Sequence, residues 1–159
     1  MKHLVGIALL STILMGPALA AKTPIPMSSL VTTKPYAQQE QNKETVLKFY
    51  ELGLNQKNAD EAAKLLGSRY VQHNPNAADG VEGFKQFIAY LKKNEPDSHS
   101  EIKRVFADGD YVILHVKATG RTTPVAIIDV FKLEEGKIVE HWDVIQPIPE
   151  KSANTNGMF

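Results

Sequence analysis

The chain of 159 residues predicts a single α+β domain, with three N-terminal helices packed on a curved, cone-shaped antiparallel sheet. Three observations carry this prediction. Apolar side chains recur at helical spacing only before residue 92. Beyond residue 100 they sit in runs rich in Val, Ile and Phe, as half-buried strands require. The turns between those runs are too short for crossovers, so the late strands must pair antiparallel in a meander.

The chain opens with Lys2 and His3, an apolar run over residues 4–15, and Ala18-Leu19-Ala20, a small-x-small cleavage site. Residues 1–20 are therefore expected to be a bacterial signal peptide, with Ala21 as the mature start and a periplasmic or secreted location. The apolar run is too short to span a membrane well. There is no cysteine, hence no disulfide, no thiol nucleophile and no lipid attachment after the run. Residues 21–41 carry Pro24, Pro26 and Pro35 without an apolar period and are expected to form a flexible leader. The domain proper is expected over residues 42–149, and residues 150–159 as a loose tail. Eighteen basic and eighteen acidic side chains cancel with no basic stripe, so nucleic acid is not an expected partner.

Within the domain, Val46, Phe49, Tyr50 and Leu54 share one face of a helix over residues 42–55. Asn58 precedes Asp60 and Glu61 as a cap before an acidic first turn, opening a short helix that buries Ala62, Leu65 and Leu66 and that Gly67 can end. Residues 70–74 form a short strand closed by Pro75. Asp79 or Gly80 opens a third helix with the stripe Val81, Phe84, Ile88 and Leu91, and Lys92 and Lys93 suit its end. Residues 101–107 and 111–119 flank Asp108-Gly109, a hairpin signal.

The last hairpin, residues 125–146, organises the rest. A two-residue loop at Glu135-Gly136 would force Glu135 to φ > 0, so a three-residue loop with only Gly136 left-handed is expected. That register pairs Leu133 with Lys137, Asp129 with His141, and Ile127 with Asp143. By the period of two, Ile127, Asp129, Phe131, Val139, His141, Asp143 and Ile145 share one face, and Ile128, Val130, Ile138, Trp142 and Val144 the other. Two carboxylates and an imidazole thus sit among apolar side chains, either as a solvated strand end or as the floor of a pocket. The opposite face would be exposed in a monomer, which points to a homodimer interface around Trp142.

The order helix, helix, Tyr70-Val71-Gln72-His73-Asn74-Pro75, helix, then four strands with Asp129-Val130-Phe131-Lys132 and Gly136-Lys137-Ile138-Val139-Glu140-His141-Trp142-Asp143 resembles the SnoaL-like polyketide cyclases. These belong to the ketosteroid isomerase and nuclear transport factor 2-like superfamily, and the resemblance covers residues 42–146. It implies cofactor-free chemistry in which an aspartate of the last strand removes a proton alpha to a carbonyl. Asp143 matches that aspartate, Asp129 the place of a pocket histidine, and Ile127 that of a polar pocket residue. The resemblance also implies dimerisation through the outer sheet face.

The residue chemistry agrees with such a role. A carboxylate in an apolar pocket beside a second carboxylate has its pKa raised and becomes a plausible base. One of Asp129 and Asp143 is therefore expected to titrate high. His141 or His73 could donate to an enolate oxygen, although His73 before Asn74-Pro75 could equally cap the strand end. His115, in an apolar strand, reads as structural. The ligand, a small apolar carbonyl compound, is expected to meet Tyr50, Phe84, Ile127, Phe131 and Asn74. The His and Asp set lacks spacing such as H-E-x-x-H, and no metal or cofactor is expected. The competing expectation is a non-catalytic module of the same fold that holds an apolar ligand.

Overall fold

The structure is a computed structural model and describes residues 36–159. The expected signal peptide and the leader up to residue 35 lie outside the described residues. Helix α1 (Tyr36–Tyr50) continues without a break into a π-helical turn, Glu51–Asn55. It is followed by α2 (Ala59–Ala63), β1 (Leu66–Gln72), α3 (Gly80–Asn94), β2 (His99–Asp108), β3 (Tyr111–Thr119), β4 (Val125–Glu134) and β5 (Lys137–Pro147). Three helices pack on a five-stranded sheet of order β1-β5-β4-β3-β2. Among the described residues, no helix is long and apolar enough to cross a membrane.

α1 begins at residue 36, six positions before its apolar period and inside the expected leader. Residues 36–41 have no apolar stripe, but Ala, Gln and Glu are good helix formers and extend a helix that packing nucleates further on. Buried Asn42 joins that end to the sheet, donating to the Gly109 carbonyl at 3.3 Å. At the other end, Asn55 accepts from Ser100 N–H at 2.8 Å and donates to Ser100 O at 3.2 Å. It thereby docks the π turn on β2. Gly53 lies at the tightest point, where a Cβ would come within 3.0 Å of the Phe84 ring.

α2 is capped as expected, Asn58 accepting from Glu61 N–H at 3.2 Å. It is shorter than expected, however. Leu66 and Gly67 open β1 instead of closing the helix. β1 runs parallel to β5, so the sheet is mixed rather than wholly antiparallel. The short-connection argument holds for β2 to β5, which are consecutive. It does not reach β1, which meets β5 only after the whole intervening chain.

The β4–β5 turn corrects the expected register. Glu135 adopts φ 50° and Gly136 φ 73°, so both central residues are left-handed in a two-residue loop. Glu134 pairs with Lys137 and Leu133 with Ile138, and then the register shifts so that Lys132 faces Glu140. The irregularity lies at Val139 in β5 rather than in the turn. Beyond it Phe131 faces His141, Asp129 faces Asp143 and Ile127 faces Ile145. Because the displacement totals two residues there, the expected faces survive. Ile138 is the exception: it is fully buried in the core with Leu133 instead of lying on the outer face. In the β2–β3 hairpin β3 begins at Tyr111 as expected, while β2 runs one residue further, so that Asp108 pairs with Tyr111 across Gly109 and Asp110.

The core lies between helices and sheet. Val46, Phe49, Phe84, Ile88 and Leu91 meet Val112, Leu114, Val116, Phe131 and Leu133 there. At roughly 1.5–3 kcal/mol for each fully buried large apolar side chain, this layer is the main favourable term in folding. The outer face keeps Ile128 and Val144 exposed. The tail folds back on that face: the Phe159 ring stacks on His115 with centroids 5.1 Å apart, beneath Lys103 and Lys117.

Candidate active site

Parallel pairing of β1 with β5 brings alternate residues of both strands to the helix-covered face. β1 contributes Tyr70 and Gln72, with Asn74 just beyond its end, and β5 contributes His141 and Asp143. Ile127, Asp129 and Phe131 of β4 stand beside them. Tyr50 and Leu54 close one side from α1 and its π turn, Phe84 and Phe87 from α3, and Arg121 from the β3–β4 loop. These side chains line a cavity of about 210 Å³.

Hydrogen bonds fix the polar floor. The Gln72 side-chain oxygen accepts from Asn74 N–H at 2.8 Å, which sets the orientation of that amide. The same oxygen lies 2.9 Å from His141 Nδ1, so Nδ1 must carry a proton and donate it. His141 Nε2 lies 3.0 Å from Asp129 Oδ1, and Tyr50 Oη donates to Asp129 Oδ2 at 3.0 Å. The Nε2–Oδ1 contact therefore holds one proton, on the ring or on the carboxyl group. Asp129 is only 3% exposed. Burial pushes its pKa above the ordinary carboxylate value; hydrogen bonds from His141 and Tyr50 oppose this, and the Asp143 charge adds to it. The expectation that one carboxylate titrates high is met at Asp129. The two aspartates are direct cross-strand partners, closer than the diagonal pair the expected register implied.

Asp143 is held differently. Asn74 accepts from Asn76 N–H at 2.8 Å, so its amide nitrogen faces Asp143 and donates to Oδ2 at 2.6 Å. Among the described residues nothing bonds Oδ1, which is left to accept from a ligand. Tyr70 Oη accepts from the Gln72 amide at 3.2 Å and keeps its own proton for another acceptor. Burial raises the Tyr70 pKa, so this hydroxyl stays a donor across the biological range.

Asp129, His141 and Asp143 meet in the cavity with Tyr50, Asn74, Phe84, Ile127 and Phe131, all named from the sequence. His73 does not join them. Its ring stacks on Trp142 with centroids 4.7 Å apart and bonds Glu140 at 2.8 Å, away from the cavity lining. Sequence reasoning missed Tyr70, Gln72 and Arg121. The signal for the first two was present: in Tyr70-Val71-Gln72-His73-Asn74 the period of two puts Tyr70, Gln72 and Asn74 on one face and His73 on the other. His115 is bonded by Arg104 at 3.1 Å and has no part in the cavity.

Ligand atoms of Asp129, His141 and Asp143 lie within 4.8 Å of one another, close enough to chelate a cation. Both His141 nitrogens are already hydrogen-bonded, so ligation would require Gln72 or Asp129 to give up its bond.

The family model of the SnoaL-like domain matches residues 46–141, more than half of the chain. The chain belongs to the SnoaL-like family. Among solved structures, this SnoaL-like domain is similar to one from Jannaschia sp. CCS1, provisionally assigned as a SnoaL-like polyketide cyclase. That likeness has a TM-score of 0.61 at 21% identity and covers 72% of this chain and 91% of that one. It is also similar to TsrD from Streptomyces laurentii, with a TM-score of 0.58 at 20% identity over 70% of this chain and 90% of that one. A protein from Kribbella flavida DSM 17836, provisionally assigned as a ketosteroid isomerase, gives 0.59 at 20% identity over 76% and 86%. At these identities the likeness speaks for the shared fold. No curated protein sequence matches the chain.

Proposed function

We propose that this SnoaL-like protein binds a small carbonyl compound in the cavity and removes a proton alpha to the carbonyl without a cofactor, with Asp143 as base. The observation that carries the reading is the free Asp143 Oδ1 in a cavity shared with an unspent hydroxyl donor, Tyr70. In the proposed step the α C–H bond breaks and its proton passes to Asp143 Oδ1. The electron pair moves into the carbonyl, and the resulting enolate oxygen accepts from Tyr70 Oη. The enolate carbon then either attacks a second carbonyl, as in an aldol cyclisation, or takes a proton back at another carbon, as in an isomerisation. Asn74 positions the base. The buried Asp129–His141–Gln72 chain forms the floor beside the base, and burial raises the Asp129 pKa. A second ionised carboxylate opposite Asp143 would be costly in so low a dielectric.

The test is exchange of α-deuterium from small labelled ketones, followed by NMR. Asp143→Asn should slow exchange by roughly 10²–10⁴-fold, the usual contribution of a positioned acid or base. Exchange that is unchanged in the variant would leave the protein as a ligand-binding module of this fold. Export behind residues 1–20, and a homodimer formed through the outer face around Trp142, complete the proposal. Exposed Ile128 and Val144 support the dimer.

A further inference from the structure

The β3–β4 loop brings Arg121 to the cavity, where among the described lining residues it is the one arginine or lysine. Gly120 takes φ +66°, and a Cβ there would lie 1.9 Å from the Asp97 carbonyl oxygen, so the loop sits directly on the backbone after α3. From that base the Arg121 side chain reaches the cavity. Its Nε donates to Glu95 Oε2 at 2.8 Å, and Glu95 caps the C-terminus of α3. Both side chains are largely buried, at 24% and 14% exposure. Among the described residues no hydrogen bond engages either Nη nitrogen. The guanidinium is thus anchored by one nitrogen, and its end-on pair of N–H groups remains unused.

We propose that Arg121 is an anion subsite, and that the ligand is a compact carbonyl compound bearing a carboxylate. Two parallel N–H groups match the two oxygens of a carboxylate in a geometry that a lysine or an amide cannot reproduce. Glu95 holds the fork in place while leaving that edge open. The cavity volume limits the rest of the molecule. The cavity measures about 210 Å³. That lies below the roughly 300–1,000 Å³ typical of sites for drug-sized ligands. In the proposed pose a short oxo acid sets its carboxylate on Arg121 and its α-carbon at Asp143. The subsite rests on the proposed function only for the placing of the α-carbon.

Titration calorimetry on the full chain at low ionic strength tests it, with levulinate, methyl levulinate and 2-pentanone as probes. Levulinate should bind at least roughly tenfold more tightly than the two neutral ketones, as expected for a charge-assisted pair. Arg121→Gln should abolish that preference while leaving the weak binding of 2-pentanone in place. Glu95→Gln removes the competing negative charge and should tighten levulinate binding. The subsite is overturned if the methyl ester binds as well as the acid, or if levulinate does not bind. It is equally overturned if Arg121→Gln weakens acid and neutral ketone alike. Acid preference without deuterium exchange would keep the subsite and sink the base. Asp143-dependent exchange without acid preference would do the reverse.

Discussion

Replacing Asp129 by Asn isolates the proton held between Asp129 and His141. The wild-type network needs an acceptor for Tyr50 Oη and a partner for His141 Nε2, both at 3.0 Å. With Nδ1 already donating to Gln72, a neutral His141 offers a lone pair at Nε2. Asparagine fits this arrangement: its oxygen accepts from Tyr50 and its amide donates to Nε2, so no buried group is orphaned. In the neutral pair both bonds are neutral ones of roughly 0.5–1.5 kcal/mol and asparagine replaces them with neutral bonds of the same order, while the burial cost of an ionisable carboxyl disappears. Asp129→Asn should therefore unfold in urea at pH 7 within about 1 kcal/mol of wild type. Asp129→Ala instead leaves Tyr50 Oη and His141 Nε2 unpaired, at about 1–3 kcal/mol each. The pH dependence gives the sign. A raised folded-state pKa means that the folded protein still binds a proton which the unfolded chain has released. Wild-type stability from this group is therefore complete below the ordinary carboxylate value of 3.8 and declines as pH rises through the raised folded value. The stability of Asp129→Asn relative to wild type should accordingly increase with pH across that window. If Asn proves as damaging as Ala at pH 7, the network requires an ionised Asp129 facing an imidazolium, and the neutral-pair reasoning fails.

His73→Ala should leave deuterium exchange unchanged and cost only about 0.5–1.5 kcal/mol of stability in urea, from the lost stack on Trp142; a large loss of exchange would return His73 to the chemistry. Trp142→Glu should convert a dimer to a monomer in light scattering, and a wild type that is monomeric at high concentration would remove the interface. Mass spectrometry of the exported protein should find Ala21 as the first residue, and an intact Met1 on that material would contradict the signal peptide.

Much of the fold was legible because local rules decide it. The stripe Phe84, Ile88 and Leu91 could only be a buried helix face, and the alternation through Ile127, Asp129 and Phe131 fixed which side chains share the cavity. The turn at Glu135 was misread because a left-handed glutamate is costly on its own terms. Here the cost is borne, and the extra residue appears at Val139, where no composition signal marks it. Because the resulting offset is two residues, the site survived the error. β1 was harder to read. Its first residues, Leu66 and Gly67, continue the apolar period of α2, and its parallel partner lies far away in sequence. His73 was placed by residue type rather than by the alternation of its own strand, and Arg121 sits in a loop whose position only the packed structure defines.

The pairing of β1 with β5 also bears on when the site comes into being. Strands β2 to β5 join through tight turns and can zip from neighbour to neighbour at little entropic cost. The Gln72–His141 and Asn74–Asp143 bonds each span 69 residues and cannot form until α3 and the whole meander lie between them. Loop-closure entropy makes such distant contacts slow to form. The cavity floor is therefore assembled late in folding, and local fraying of β1 dismantles it while the meander stays intact. Closure of the cavity floor is, in this chain, a report that folding has gone to completion.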